Sequence, residues 1–532
     1  MIVIGAGFSG LYMLYQARKS GLHVQCIEAG DDVGGTWYWN RYPGARVDIE
    51  SMEYSYSFSE ELQQQWDWSE RYAAQPELLA YAQHVAERFN LRDDIQFSTR
   101  VQAAHFDEAR GIWAVHTSRG EILKAQFCVF ATGLISEPHM PEFEGLDSFT
   151  GKTYLTARWP QEGADFTGQR VGVIGTGSSG IQVIPEIARQ AAHLTVFQRT
   201  PPFTVPLRNC PSTAEHRREI KTLYRKIREN QLNSFGGFTA LHSRSTPAPT
   251  ESALAVPAEV RRARYEDLWQ SGGLCFYNAY TDILLDESAN ETLSEFLRSK
   301  MRQRVRDPQI AEKLVPQDYP VLTRRLSADT DYCETFDRSN VSLIDVREDP
   351  IVRFEPSGLR LESGPVELDA MVFATGFDIQ TGAMDKVDIR GRGGRSLKSD
   401  WSEGLSSYLG MMTRGFPNLI WLNGPGSPFF NPLLQAEFQG QWLDQLIRHM
   451  KQNRLQCVEP HLQDEKDWVQ LTDAIGNATL FPKSRNYYMG DNVPGKPRRV
   501  LFFFGGFPAY REACEEAARD YSAFEFMDEE QA

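Results

Sequence analysis

Two stretches of the chain repeat one local pattern: a short apolar strand, a glycine-rich turn and a helix. The first runs Met1-Ile2-Val3-Ile4, then Gly5-Ala6-Gly7-Phe8-Ser9-Gly10, then Leu11 to Ser20, with Leu11, Leu14 and Ala17 on one helical face. The second runs Val171-Gly172-Val173-Ile174, then Gly175-Thr176-Gly177-Ser178-Ser179-Gly180, then a helix. A lone G-x-G-x-x-G specifies little, because glycine turns are common. Here each copy follows an apolar strand and opens a helix, which is the context the motif needs. The expected fold is therefore α/β, with two Rossmann-like dinucleotide-binding domains in one chain. Gly5, Gly7 and Gly10, and again Gly175, Gly177 and Gly180, would let the backbone approach a pyrophosphate at a helix N-terminus.

The residue that ends the second strand of each unit separates the two sites. Glu28 lies 18 positions after Gly10, where a carboxylate accepts hydrogen bonds from a ribose diol. Arg199 lies 19 positions after Gly180, where a guanidinium pairs with a 2′-phosphate that a carboxylate would repel. The first site thus suits FAD and the second NADPH. Thr176, Ser178 and Ser179 add hydroxyl donors near the second pyrophosphate. Two dinucleotide domains in one chain imply hydride transfer between cofactors. Ala131-Thr132-Gly133 and Ala374-Thr375-Gly376 end strands where chains of this two-dinucleotide flavoprotein type cross between domains. The expected division is an FAD domain from residues 1–135 and 370–532, an NADPH domain from 145–210 and 315–365, and a helical insertion at 211–314. Ile112–Thr117 and Glu121–Phe130 should pair about a Ser118-Arg119-Gly120 turn.

Composition narrows the function classes. The 56 Lys and Arg against 71 Asp and Glu give a net charge of −15, which disfavours a nucleic-acid partner. No apolar run is long enough to span a bilayer. The chain opens on a strand pattern with no signal peptide, and so little precedes this strand that a few native residues are expected to be missing. The 7 cysteines are scattered, with no C-x-x-C pair; this fits a reducing cytoplasm and speaks against a disulfide framework or zinc site. The histidines form no metal or triad arrangement, and no metal is expected.

Further motifs resemble those of the Baeyer–Villiger monooxygenases, and the similarity runs through nearly the whole chain. Gly34-Gly35-Thr36-Trp37-Tyr38-Trp39-Asn40-Arg41-Tyr42-Pro43-Gly44-Ala45-Arg46-Val47-Asp48 is similar to that family's Tyr-Pro-Gly fingerprint. Phe149 to Pro160 resembles its linker fingerprint, with Leu155 where the family usually has histidine. Tyr319 to Leu326 resembles the segment carrying its active-site arginine, and Asn492-Val493-Pro494-Gly495-Lys496-Pro497 resembles a C-terminal signature. The resemblance implies an NADPH- and dioxygen-dependent enzyme that oxidises a small hydrophobic ketone to an ester or lactone through a C4a-peroxyflavin.

It assigns the fixed cation to Arg325 and its partner to Asp48, with Arg324 helping Arg199 hold the 2′-phosphate. Gly35, Thr36, Trp37 and Tyr42 would bind the cofactor, with Trp37, Trp39 and Tyr42 walling the flavin, and Tyr487 would lie near the nicotinamide. The segment Gly424 to Leu434 would line the substrate pocket with Phe429, Phe430 and Leu433. Leucine at 155 can neither donate, accept nor titrate, which puts efficient coupling or nicotinamide placement in question. The alternatives are a flavin monooxygenase acting on nitrogen or sulfur, a largely uncoupled NADPH oxidase, and a flavoprotein binding module.

Overall fold

The computed structural model describes residues 1–239, 249–491 and 493–528. Asn492, the first residue of the C-terminal signature, lies outside them. Each glycine turn follows the central strand of a five-stranded parallel sheet. The first sheet has the order Leu419–Trp421, Cys128–Phe130, Ile2–Ile4, Gln25–Ile27, Ile95–Gln96. The second has the order Val341–Asp345, His193–Gln198, Arg170–Ile174, Ala370–Phe373, Lys152–Leu155. Ile2–Ile4 is buried along its whole length, as expected where helices cover both sheet faces.

The duplication extends beyond the glycine motif. In both sheets the strand that ends in Ala-Thr-Gly lies directly beside the glycine-turn strand. Gly5 and Gly175 adopt φ of +103° and +106°, and a Cβ on either would stand 2.8 and 2.3 Å from the carbonyl oxygens of Ala131 and Ala374. Gly10 and Gly180 sit where a Cβ would come 1.8 and 2.3 Å from the carbonyl oxygens of Gly5 and Gly175. A side chain at either pair would lift the helix from its strand, so these glycines hold strand, turn and helix together.

Two expectations are corrected. Glu121–Phe130 is two strands in different sheets. Ile122–Ala125 alternates in exposure and pairs with Ile112–Thr117, whereas Cys128–Phe130 is wholly buried and joins Ile2–Ile4. The return to the first domain falls after Phe373 rather than at 370. Ala370–Phe373 is buried on both faces and pairs with Arg170–Ile174 and Lys152–Leu155 of the second sheet.

The stretch 211–314 contains the helices Ala214–Asn233, Ala258–Ser271, Glu287–Arg302 and Pro308–Leu314. Its Tyr265, Leu268, Leu293 and Leu297 share one apolar core with Val3, Leu11 and Tyr72, so it is packed onto the first unit. The C-terminal part supplies Leu419–Trp421 to the first sheet and the helix Pro432–Asn453, which packs along Phe8–Lys19.

The two crossings between the sheets lie side by side. His139 N donates to Gly376 O at 2.9 Å, and Asp378 N donates to Glu137 O at 2.9 Å. Thr375 Oγ1 donates to His139 O at 2.6 Å, completing a short antiparallel ribbon between the halves.

Candidate active site

Both glycine turns open onto one cavity of about 1690 Å³. The helices Phe8–Lys19 and Ser178–Ala188 begin after Gly7 and Gly177, and neither start is capped by a side chain. Their first-turn N–H groups are thus available to an anion. Gly5, Gly7, Gly175, Gly177, Ser178 and Ser179 line the cavity. Gly10 and Gly180 lie behind it and act through the close packing described above. Thr176 also lines it, with its hydroxyl donated to Thr200 O at 3.1 Å.

Glu28 is buried at the first cradle. Its Oε2 accepts from Ala6 N at 2.6 Å and its Oε1 from Gly30 N at 2.7 Å. Burial raises its pKa, and these backbone donors oppose the rise. The two bonds set the carboxylate plane and leave acceptor capacity for a ribose diol. Gly35 and Thr36 line the same wall, and the Gly34-Gly35 turn packs on Gly7. Trp37 borders the cavity, with Nε1 donating to Tyr54 OH at 3.1 Å. Tyr42 borders it too, but its hydroxyl joins the halves by donating to Gln182 Oε1 at 2.8 Å. Gln182 Nε2 returns a bond to Arg46 O at 3.1 Å.

At the second cradle, Arg199 and Arg324 both line the cavity, and neither forms an ion pair among the described residues. The Arg324 guanidinium lies 4.6 Å from the Tyr319 ring centroid, and its Nε is buried without a partner. Burial lowers the Arg324 pKa and the charge of Arg199 adds to this, while Tyr319 and, more weakly, Asp491 and Asp318 oppose it. Asp318 and Asp491 also border the cavity but are ion-paired to Arg347 and Arg498, so the two guanidiniums, neither in an ion pair among the described residues, fit a 2′-phosphate.

The pair expected to carry the chemistry lines the same cavity as both cradles. Arg325 Nη2 donates to Asp48 Oδ1 and Oδ2 at 2.6 Å, and its Nε donates to Oδ2 at 3.1 Å. The two side chains are 25% and 19% exposed, so they reach the cavity they line. At this separation the attraction is about 6 kcal/mol at an effective dielectric near 20, much of it offset by desolvation. Burial works against the charge on Arg325; Asp48 and the nearby Tyr487 and Tyr277 more than reverse this, so the guanidinium stays charged.

Tyr487 lines the cavity beside this pair, its ring 4.3 Å from that of Tyr488. Phe429 places its ring 5.6 Å from the Arg325 guanidinium, and Phe430 continues the apolar wall. Leu433 does not join them. Asn431 caps the helix Pro432–Asn453 by accepting from Leu433 N at 3.1 Å, which turns Leu433 into the core, where it is fully buried.

Sequence reasoning missed Tyr277, Tyr488 and Arg158. Tyr277 comes from the helical stretch and lines the cavity, with its hydroxyl accepting from Leu326 N at 3.4 Å. Nothing in its local sequence marks it. Arg158 lay within the quoted linker fingerprint; its guanidinium is 4.6 Å from the Trp39 ring, and it donates to Ser136 O at 3.0 Å. Leu155 ends the edge strand Lys152–Leu155 and faces a separate small groove shared with Tyr154, Arg158 and Gln169. None of the seven cysteines is paired. Among the described residues, no His, Cys, Asp and Glu side chains gather as a metal-holding group. No helix among them is long and apolar enough to cross a membrane.

A family model described as pyridine nucleotide-disulphide oxidoreductase matches residues 2–229. A Baeyer-Villiger monooxygenase from Pseudooceanicola batsensis is 42% identical over 516 residues, covering 96% of this chain and 93% of that protein. A phenazine N-monooxygenase from Lysobacter antibioticus is 40% identical over 530 residues, covering 98% of this chain and 96% of that protein. A solved structure of oxidised steroid monooxygenase bound to NADP superposes with a TM-score of 0.94 at 45% identity, covering 99% of both chains. Similarity at this level, sustained through both glycine units, the insertion and the C-terminal wall, shows that the chain belongs to the Baeyer–Villiger monooxygenase family.

Proposed function

We propose that this protein is an FAD-dependent monooxygenase that consumes NADPH and dioxygen and inserts one oxygen atom beside a ketone carbonyl, giving an ester or lactone. The observation that carries this reading is the bidentate Arg325–Asp48 pair on the cavity onto which both dinucleotide cradles open. When bound, FAD reduced by NADPH supplies the oxygen-activating chemistry. Glu28 orients the FAD ribose, and Arg199 with Arg324 holds the NADPH 2′-phosphate.

Arginine suits the central position because it cannot give up its proton to an anionic oxidant. Its N–H groups stabilise negative charge on the carbonyl oxygen as the carbon becomes tetrahedral. The loss of a comparable donor costs on the order of 3 kcal/mol. Asp48 fixes the orientation of the guanidinium. Phe429 and Phe430 keep that side of the cavity apolar, which suits a hydrophobic ketone. We place the protein in a reducing compartment, the cytoplasm, on its unpaired cysteines.

The relative named for phenazine N-oxidation favours a second reading, oxidation of nitrogen or sulfur at the same cavity. The test is a product screen of cyclic, linear and aryl ketones, with a sulfide and an N-heterocycle alongside, using NADPH and isotopically labelled dioxygen. One labelled oxygen in an ester or lactone supports the primary reading. N-oxide or sulfoxide formation with no ester from any ketone overturns it.

A further inference from the structure

The ammonium group of Lys496 uses its three hydrogens on three acceptors: Asp378 Oδ1 at 2.5 Å, Thr381 Oγ1 at 2.6 Å and Asp385 Oδ2 at 3.2 Å. Thr381 Oγ1 in turn donates to Asp385 Oδ2 at 2.8 Å. The cluster is half-buried, with exposures of 24% for Lys496, 19% for Asp378 and 18% for Asp385. No cofactor role described above uses it.

Its position links two parts of the molecule. Asp378 ends the second interdomain crossing, and its backbone N–H is bonded to Glu137 O of the first at 2.9 Å. On the other side, the segment after Lys496 is laced to the turn carrying Tyr487. Arg499 N donates to Met489 O at 2.9 Å, and Leu501 N donates to Tyr488 O at 3.0 Å. Pro494 and Ala383, one from each partner in the clamp, line the cavity together with Tyr487 and Arg325. An unbroken series of contacts therefore runs from the paired crossings through Lys496 to the wall beside Arg325.

We propose that Lys496 is a positioning residue that ties the Tyr487-bearing wall to the paired interdomain crossings, so that nucleotide affinity at the second cradle depends on the clamp. This rests on the assignment of that cradle to NADPH. A lysine with three acceptors at a junction is stronger than an exposed pair, because losing it leaves two half-buried carboxylates facing each other without a cation. The wall then separates from the crossings while both glycine cradles remain intact.

The test uses the FAD-loaded full-length enzyme with Lys496→Met and Lys496→Arg. NADP⁺ affinity is read without turnover, by titrating the absorbance of oxidised flavin, and the peroxide released per NADPH consumed is measured separately. Lys496→Met is expected to weaken NADP⁺ binding by about tenfold, the loss of one charged hydrogen bond, and to raise the peroxide fraction. FAD content is expected to be unchanged, and Lys496→Arg should restore most of the affinity. Native affinity and native peroxide fraction in Lys496→Met overturn the proposal. So does equal loss in both variants with a lowered melting temperature, which marks a purely structural staple. Should Lys496→Met fail to retain FAD, Asp385→Asn, which keeps the Asp378 and Thr381 contacts, is read against the same criteria. Absence of ketone oxidation by the native enzyme overturns the proposed reaction, yet leaves this titration readable.

Discussion

Replacing Arg199 by alanine removes one of the two cations assigned to the 2′-phosphate and leaves the other in place. Arg324 is held independently by its contact with the Tyr319 ring at 4.6 Å, so it does not follow Arg199 out of the site. Neither arginine forms an ion pair among the described residues; the nearby Asp318 and Asp491 are paired to Arg347 and Arg498. A hydrogen bond to a charged group contributes about 1.5–3 kcal/mol, equivalent to about 10- to 150-fold in affinity. Arg199 is exposed and therefore screened, which places the effect near the lower end. Arg199→Ala is expected to lower kcat/KM for NADPH by about 10- to 30-fold and to leave that for NADH within about twofold. The assay is initial-rate NADPH and NADH consumption with a saturating ketone at low and high salt, and the preference should shrink further with salt. An unchanged preference, or a parallel fall with NADH, refutes the assignment.

Other perturbations probe different parts of the account. Asp48→Ala leaves the Arg325 guanidinium unoriented, and ester formation should fall roughly 100-fold with little change in KM for NADPH, as steady-state kinetics would show. Gly175→Ala places a Cβ 2.3 Å from Ala374 O at φ +106°, so calorimetry and ultrafiltration should find a less stable protein with weakened NADP⁺ binding. Glu53 is buried, and its pKa is pushed up to about 7, first by burial and then by the charge of Glu50. Its contribution to stability is full below the unfolded value near 4.5 and is lost as pH rises through 7, a change of about 3 kcal/mol. Glu53→Gln, which keeps an acceptor for Thr239 N, should flatten this dependence, raising the melting temperature at pH 8 relative to native far more than at pH 5. A parallel pair of pH profiles would contradict it.

Local chemistry made much of the fold legible. Glycine turns with apolar strands before them and helices after them depend on neighbours within a few residues, so both cradles could be read from short windows. Glu28 and Arg199 sit at a fixed distance from those turns and carry opposite charge. Long-range pairing was less accessible. Ala370–Phe373 was assigned to the first domain because sequence shows a buried strand but not which sheet receives it. Leu433 was placed in the pocket beside Phe430, yet the Asn431 cap sets the helix face and turns it inward. Tyr277 reaches Arg325's neighbourhood from a stretch whose helical pattern gives no hint of a cavity. The Arg325–Asp48 pair spans 277 positions and was available only through resemblance, because nothing local requires it.

The central claim, that Arg325 stabilises attack on a carbonyl carbon, is tested most directly by product analysis of Arg325→Ala with a ketone and a sulfide oxidised by the same preparation. The account predicts that ester or lactone formation disappears while sulfoxide formation persists and FAD remains bound. Ester formation at the native rate, or equal retention of both products, contradicts it.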